Sequence, residues 1–123
     1  AASAQIEAGA DLIYAERFGV FEAAKEKGVL AFGNMSDQNA LAPTVVITGP
    51  VWDMYPTIKF AIEMVQKKAW VSMDLGGWSM MGKGGSRLAP FHDFEKTLPA
   101  SVIKEVRDLE QKNYKRHLPC PGG

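Results

Sequence analysis

Short apolar runs alternate with amphipathic stretches in the first half of the chain, and this alternation predicts an α/β fold. The runs 12–14 and 29–33 are flanked by turn residues, as expected of strands that are buried on both faces. Between them, residues 18–27 place apolar side chains on one face and charged side chains on the other, and Gly28 marks the helix end. Residues 11–33 are therefore predicted to form one βαβ unit with parallel strands.

The same patterns predict the remaining elements. The β-branched run 45–48, which stops at Gly49, predicts a third strand. A strand or hairpin is predicted near 77–81, where no helical period is visible, and a glycine loop after it. Apolar residues at helical spacing, with glycine or proline near the ends, predict three further helices, over residues 1–8, 53–68 and 98–112.

Composition limits the classes of function. The 123 residues suffice for one domain, and Lys plus Arg equals Asp plus Glu at 14 each, so no charge excess indicates binding to nucleic acid or to an anionic membrane. No apolar run is long enough to span a bilayer, and no secretory signal segment is visible. The opening residues read as the last turns of a helix, which indicates an excised piece. The lone Cys120 excludes an internal disulfide.

Distinctive side chains follow the predicted strands. Glu16, Arg17 and Phe18 come directly after the first strand, and Trp52 follows the third. The carboxyl ends of parallel strands form the crevice where ligands bind in open α/β sheets. Two interpretations remain open at this point. The residues either contact a ligand, or they form an Arg–Glu pair, a Phe that anchors the helix and a Trp that fills the core.

Two other segments carry weaker signals. Residues 81–88 combine glycines with Lys83, but the order is not that of a phosphate-binding loop, so a flexible surface connection is predicted. His92 and Asp93 stand together without a second histidine nearby, and a surface turn is predicted rather than a metal or proton-transfer site. Since no nucleophile–base pairing is visible either, we expect no enzyme, no metal and no cofactor.

Two stretches, GVFEAAKEKGVLAFG and SDQNALAP, resemble the basic membrane protein family of ABC transporter substrate-binding proteins, whose members are similar to purine nucleoside receptor lipoproteins. The resemblance covers residues 1–112 and implies a three-layer parallel-sheet α/β lobe of a type I periplasmic-binding-protein fold. Residues 1–112 would form an incomplete C-terminal lobe without its N-terminal partner lobe. Residues 113–123 do not fit the family and are predicted to be a flexible tail.

The departures from the family bear on the ligand. The family sequence GVDSDQ places an aspartate where this chain has Met35, and a family lysine falls on Trp52. The resemblance implies that these two polar groups grip a ribose, so their loss favours a nucleobase such as adenine over a nucleoside. Trp52 and Met35 suit a flat ring, while Glu16 or Asn34 would read its polar edge. The predicted ligand-binding set is Glu16, Arg17, Phe18, Asn34, Met35, Asp37 and Trp52.

The resemblance further implies an extracytoplasmic binding component of an ABC importer, periplasmic or lipid-anchored at the cell surface, that works with a membrane permease. A ligand-sensing lobe of a regulator or signalling receptor is the alternative, and a small nucleotide-acting α/β enzyme a more distant one. Alone, the chain is expected to bind weakly and to self-associate through exposed apolar surface.

Overall fold

The computed structural model describes residues 1–17 and 19–115. Helices and strands alternate in its first half, as the hydrophobic pattern predicts. The regular elements are α1 (Ala2–Glu7), β1 (Leu12–Tyr14), α2 (Val20–Lys27), β2 (Leu30–Phe32), β3 (Pro50–Trp52), α3 (Tyr55–Gln66), β4 (Ser86–Leu88) and α4 (Ala100–Lys115). Single turns of 3-10 helix lie at Asn39–Leu41, Gly76–Ser79, Met81–Lys83 and His92–Lys96.

The predicted βαβ unit is confirmed. β1 and β2 pair in parallel, with Leu12 opposite Leu30 and Tyr14 opposite Phe32. Helix α2 crosses between them and ends at Gly28, whose φ of 70° lies in the left-handed region that glycine adopts without steric cost. The carboxyl ends of β1 and β2 therefore lie at the same edge of the sheet.

The predicted third strand is present only as a single parallel bridge between Val46 and Ala31. Ala31 accepts a hydrogen bond from the Ile47 amide at 3.0 Å, as in a regular parallel ladder. The next bond breaks the register, because the Gly33 amide donates to Thr48 O at 2.8 Å where a regular ladder would use Ile47 O. One extra residue therefore interrupts the strand, in the manner of a bulge.

By its contacts the chain divides into two units, Ala1–Val51 with Leu88–Ile103, and Trp52–Arg87 with the described part of Lys104–Gly123. The core of the first unit lies between α2 and the parallel strands. Small residues dominate it, with Ala24 and Ala31 completely buried and Val46 the largest fully buried side chain. Alanines let the helix backbone approach the sheet closely.

In the second unit α3 begins with a proline in its first turn, as predicted, and ends at Gln66. The predicted strand or hairpin near 77–81 is wrong, because residues 76–79 and 81–83 form 3-10 turns and the strand, β4, comes later. The cause is local: Asp74 Oδ1 accepts from the Gly76 amide at 2.7 Å, and Ser79 Oγ donates to Gly76 O at 2.6 Å. Such side-chain bonds to the backbone favour turns over strands.

The last helix begins close to the predicted position and continues to Lys115, so residues 113–115 are helical where a flexible tail was predicted. Ile103 is buried, whereas Val102 and Leu109 are exposed. No described helix is long and apolar enough to cross a membrane. A single lobe over residues 1–112 stays a prediction, and Cys120 lies outside the described residues.

Candidate ligand-binding site

The loop that follows β2 is closed by its own side chains. Gln38 Oε1 accepts a hydrogen bond from the Asn34 backbone amide at 2.8 Å, and Asp37 Oδ1 accepts from the Asn39 amide at 3.2 Å. The buried Asn39 side chain donates to Val46 O at 2.8 Å. The carbonyl of Val46, which forms the bridge to Ala31, therefore has a hydrogen-bond partner. The SDQN segment is therefore first of all a loop-building motif.

A strained turn lies at the start of this loop. The Ser36 amide donates to Asn34 O at 2.9 Å, which closes a three-residue turn around Met35. Met35 has a φ of 70°, and this form of the γ-turn is rare and strained for a residue with a side chain. The side chain is 53% exposed, so burial does not explain the strain. The strained residue is one of the predicted ligand contacts.

Asn34, another predicted contact, is held from two directions. Besides the Gln38 bond to its backbone, its side-chain Oδ1 accepts a hydrogen bond from the Tyr14 hydroxyl at 2.9 Å. Tyr14 ends β1, and the parallel register brings it beside the residues that follow β2. Tyr14 is not among the predicted contacts, although a polar tip at the last position of a strand is a visible signal in the sequence.

Asp37 is joined to His92, a residue that is predicted from the sequence to lie in a surface turn. His92 Nε2 lies 2.8 Å from Asp37 Oδ2, and because an ionised carboxylate only accepts, the proton of this bond is on Nε2. His92 has a φ of 50°, a second strained backbone position. The bond links two loops that are 55 residues apart in sequence. Both Asp37 oxygens are thus engaged within the chain, which makes this carboxylate a support for the loop.

The neighbouring Asp93 forms an exposed pair with Lys96. The Lys96 ammonium donates to Asp93 at 2.7 Å, and this hydrogen bond, followed by the charge of Lys96, lowers the pKa of Asp93 below its ordinary value of 3.8. Among residues 1–17 and 19–115 no group of three or more His, Cys, Asp or Glu side chains is arranged to hold a metal ion.

Glu16 and Arg17 are exposed in the turn after β1, and within the described part of the chain they do not form an ion pair with each other. Their charged groups are therefore presented to solvent at the carboxyl edge of the sheet. The predicted contact Phe18 lies outside the described residues.

Trp52 is the last residue of β3 and is 54% exposed, so it does not serve as a core plug. It belongs to the second unit, while the other described members of the predicted set belong to the first. Next to it, the Asp53 carboxylate accepts from the Tyr55 amide at 2.9 Å and lies 4.0 Å from Arg87. Asp53 thus supports the start of α3.

The segment with Lys83 is ordered by its own contacts. Its ammonium lies 5.1 Å from the centroid of the Trp78 ring, and Trp78 stacks on Phe60 with ring centroids 4.5 Å apart. Amides of Lys83 and Gly85 both donate to Met80 O, at 3.1 Å each. Lys83 is therefore part of a cation–π stack on α3 rather than of a phosphate-binding loop.

An open groove of about 620 Å³ lies elsewhere in the first unit, between the end of α1 and β1. None of the predicted ligand contacts lines it. Its lining residues are Gln5, Ala8, Gly9, Ala10, Leu12, Ile13 and Tyr14.

No protein-family model and no curated protein sequence matches the chain. Solved structures do match. The crystal structure of a transcriptional activator of the comK gene from Bacillus halodurans superposes with a TM-score of 0.68 and 20% identity, over 94% of this chain and 40% of that one. An ABC transporter solute-binding protein from Conexibacter woesei superposes with a TM-score of 0.59 and 24% identity, over 98% of this chain and 40% of that one.

These likenesses concern the fold, and the chain spans about 40% of the length of each of the two proteins. Together with the parallel pairing of β1 and β2, they confirm the predicted α/β class and a fold shared with part of a solute-binding protein.

Proposed function

We propose that the chain is part of the extracytoplasmic solute-binding component of an ABC importer and that it binds a purine-like ligand, a nucleobase such as adenine in preference to a nucleoside. The observation that carries the proposal is the loop after β2, where Asn34 and the strained Met35 lie at the carboxyl end of a parallel strand. The fold shared with a solute-binding protein supports the same conclusion. The component captures its ligand and performs no chemistry on it.

The strain at Met35 supports a preformed contact. A residue held at such a φ costs about 1–3 kcal/mol and persists only where its surroundings fix it. Here the bonds made by Gln38 and Asp37 fix the loop. An exposed thioether on a backbone that is fixed in this way provides a polarizable contact for an aromatic ring.

Trp52 supports a flat ligand. More than half of its surface is exposed, and an indole face stacks favourably on a heterocycle. The exposed Glu16 carboxylate can accept a hydrogen bond from an exocyclic amine. Met35 has no charged group with which to grip sugar hydroxyls, since its thioether is only a weak acceptor, and each hydroxyl that is left buried and unpaired costs about 1–3 kcal/mol. A base therefore suits Glu16 and Met35 of the first unit better than a nucleoside does.

Isothermal titration calorimetry with adenine and adenosine tests the proposal, both on this chain and on any longer form of the protein that contains it. We expect tighter binding of adenine. A pocket normally encloses about 70–90% of its ligand, so one lobe alone is expected to bind weakly. Tighter binding of adenosine would contradict the preference for a base, and the absence of binding to both in a two-lobe form would contradict the proposal.

Trp52→Ala isolates the stacking contact. It is expected to weaken adenine binding about two- to tenfold, since aromatic pairs contribute about 0.5–1.5 kcal/mol beyond area burial. Trp70→Ala is the matched control, because Trp70 is also an exposed tryptophan of the second unit, at 42%. Equal losses in the two variants would remove Trp52 from the site.

A ligand-sensing lobe of a regulator is the second candidate, and the superposition with a transcriptional activator favours it. Both candidates use the same loop after β2, and they differ in the partner that responds. Co-purification with a membrane permease supports the importer, whereas a change in transcription on deletion of the gene, with ligand uptake unchanged, supports the regulator.

Exposed apolar side chains on α3 support the expected self-association. Tyr55, Ile58, Ile62 and Val65 are all more than half exposed and recur every three or four residues, which places them on one face of the helix. Ile62→Glu is expected to lower the mass measured by light scattering, and Lys67→Glu, which is exposed at the helix end and away from this face, is the control. A monomeric native chain would contradict the expectation.

A further inference from the structure

Tyr14 and Gln38 together fix how Asn34 can meet a ligand. The Gln38 side chain holds the Asn34 backbone amide at 2.8 Å, and the Tyr14 hydroxyl donates to the side-chain Oδ1 at 2.9 Å. Asn34 is half-buried, whereas Tyr14 is 50% exposed, so the hydroxyl approaches from the solvent side of the sheet edge. Both the position and the rotation of the amide plane are thereby defined.

An amide group offers two kinds of partner, since its oxygen accepts and its NH2 group donates. The Tyr14 bond uses the oxygen. Within the described part of the chain the NH2 group of Asn34 has no hydrogen-bond partner, and it is therefore the polar group that Asn34 offers to an incoming molecule. If the amide were rotated by half a turn, its NH2 group would face Tyr14 and would have to donate to the phenol oxygen. That oxygen accepts poorly, because its lone pair is delocalised into the ring.

We propose that Tyr14 is a positioning residue that holds the Asn34 amide as a hydrogen-bond donor, so that the site selects heterocycles with an acceptor on the edge facing Asn34, either a ring nitrogen or a carbonyl oxygen. The proposal rests on the proposed function, because it concerns the same ligand. The two side chains recognise different groups of the ligand. The Asn34 NH2 group donates to an acceptor, and the Glu16 carboxylate accepts from an amine.

Ring-nitrogen deletions in adenine test the selection. In 1-, 3- and 7-deazaadenine one acceptor nitrogen is replaced by C–H, and the analogue that lacks the nitrogen facing Asn34 is expected to bind the native protein about three- to tenfold more weakly than adenine. In Tyr14→Phe the amide rotates freely, so the gap, meaning the difference in affinity between adenine and that analogue, is expected to narrow to less than about twofold. Tyr55→Phe, at another exposed tyrosine, is expected to keep the native gap.

A gap that is the same in Tyr14→Phe and in the native protein would overturn the proposal, and so would equal binding of all three analogues and adenine to the native protein. Asn34→Ala serves as the second variant, and it is expected to remove the gap even if Tyr14→Phe folds poorly.

A measurement without ligand separates this proposal from the proposed function. The ¹³Cγ resonance of Asn34 reports hydrogen bonding at its oxygen, and it is expected to move in Tyr14→Phe while that of the exposed Asn113 stays in place. If adenine does not bind but the Asn34 resonance moves, the proposed ligand is wrong and the positioning role of Tyr14 stands. If the Asn34 resonance does not move, Tyr14 does not orient the amide.

Discussion

Gly49→Ala is expected to destabilise the chain strongly, because two strand ends meet there without side chains. A Cβ atom at Gly49 would lie 2.5 Å from Gly33 O, 2.6 Å from Gly33 C and 2.9 Å from Gly33 Cα. Carbon atoms normally approach to about 3.5–4.0 Å, so the Gly33 backbone would have to move by roughly 1 Å. It is not free to do so, since its amide bonds to Thr48 O at 2.8 Å and the Gly49 carbonyl accepts from Ala89 at 2.9 Å.

The magnitude follows from these contacts. Overpacking costs about 1–3 kcal/mol, and a displacement of this size also lengthens the Gly33–Thr48 bond, at about 1 kcal/mol. The loss of a glycine from the unfolded chain returns about 0.4–1 kcal/mol. We therefore expect a net loss of about 1–3.5 kcal/mol, which is large against the roughly 5–15 kcal/mol of a typical domain.

Urea unfolding followed by circular dichroism measures this loss as a lower midpoint, by about 1–2 M for a slope of roughly 1.5 kcal/mol/M. Gly77→Ala is the matched control, because a Cβ there meets nothing within 4 Å and the residue is exposed. The control is expected to change stability by less than about 1 kcal/mol. Equal midpoints for the two variants would refute the close approach of the strand ends.

Three further predictions concern single side chains. Met35→Gly is expected to be about 0.5–1 kcal/mol more stable than Met35→Ala in urea unfolding, since only glycine relieves the strain at φ 70°, and the reverse order would contradict the strained turn. Asn39→Ala leaves the buried Val46 carbonyl without its donor and should cost about 1–3 kcal/mol, measured against Asn39→Gln, which keeps an amide but not its position. The hydrogen bond from Lys104, and then its charge, hold the pKa of Asp108 below 3.8, so a small stabilising contribution is present above that pH and is lost as the pH falls through the folded pKa. Lys104→Ala should raise the Asp108 midpoint in ¹³C NMR titration, and an unchanged midpoint would show that the pair does not form in solution.

Sequence patterns correctly predicted the helices and strands that depend on residues close together in the chain. The βαβ unit over residues 11–33 follows from short apolar runs and one amphipathic helix, and Gly28 ends that helix at the predicted position. The error near residues 77–81 was also local, because Asp74 and Ser79 bond to the backbone there and such residues mark turns in the sequence itself.

The sequence by itself determined the α/β class, the parallel pair and the loop after β2 that carries Asn34 and Met35, since periodicity and turn residues act over a few neighbours. Only the tertiary structure decided how that loop is held. Tyr14 reaches Asn34 across 20 residues and His92 reaches Asp37 across 55, and no local pattern encodes contacts at such separations. The Tyr14 contact arises because parallel pairing brings the ends of β1 and β2, which are distant in sequence, to one edge of the sheet.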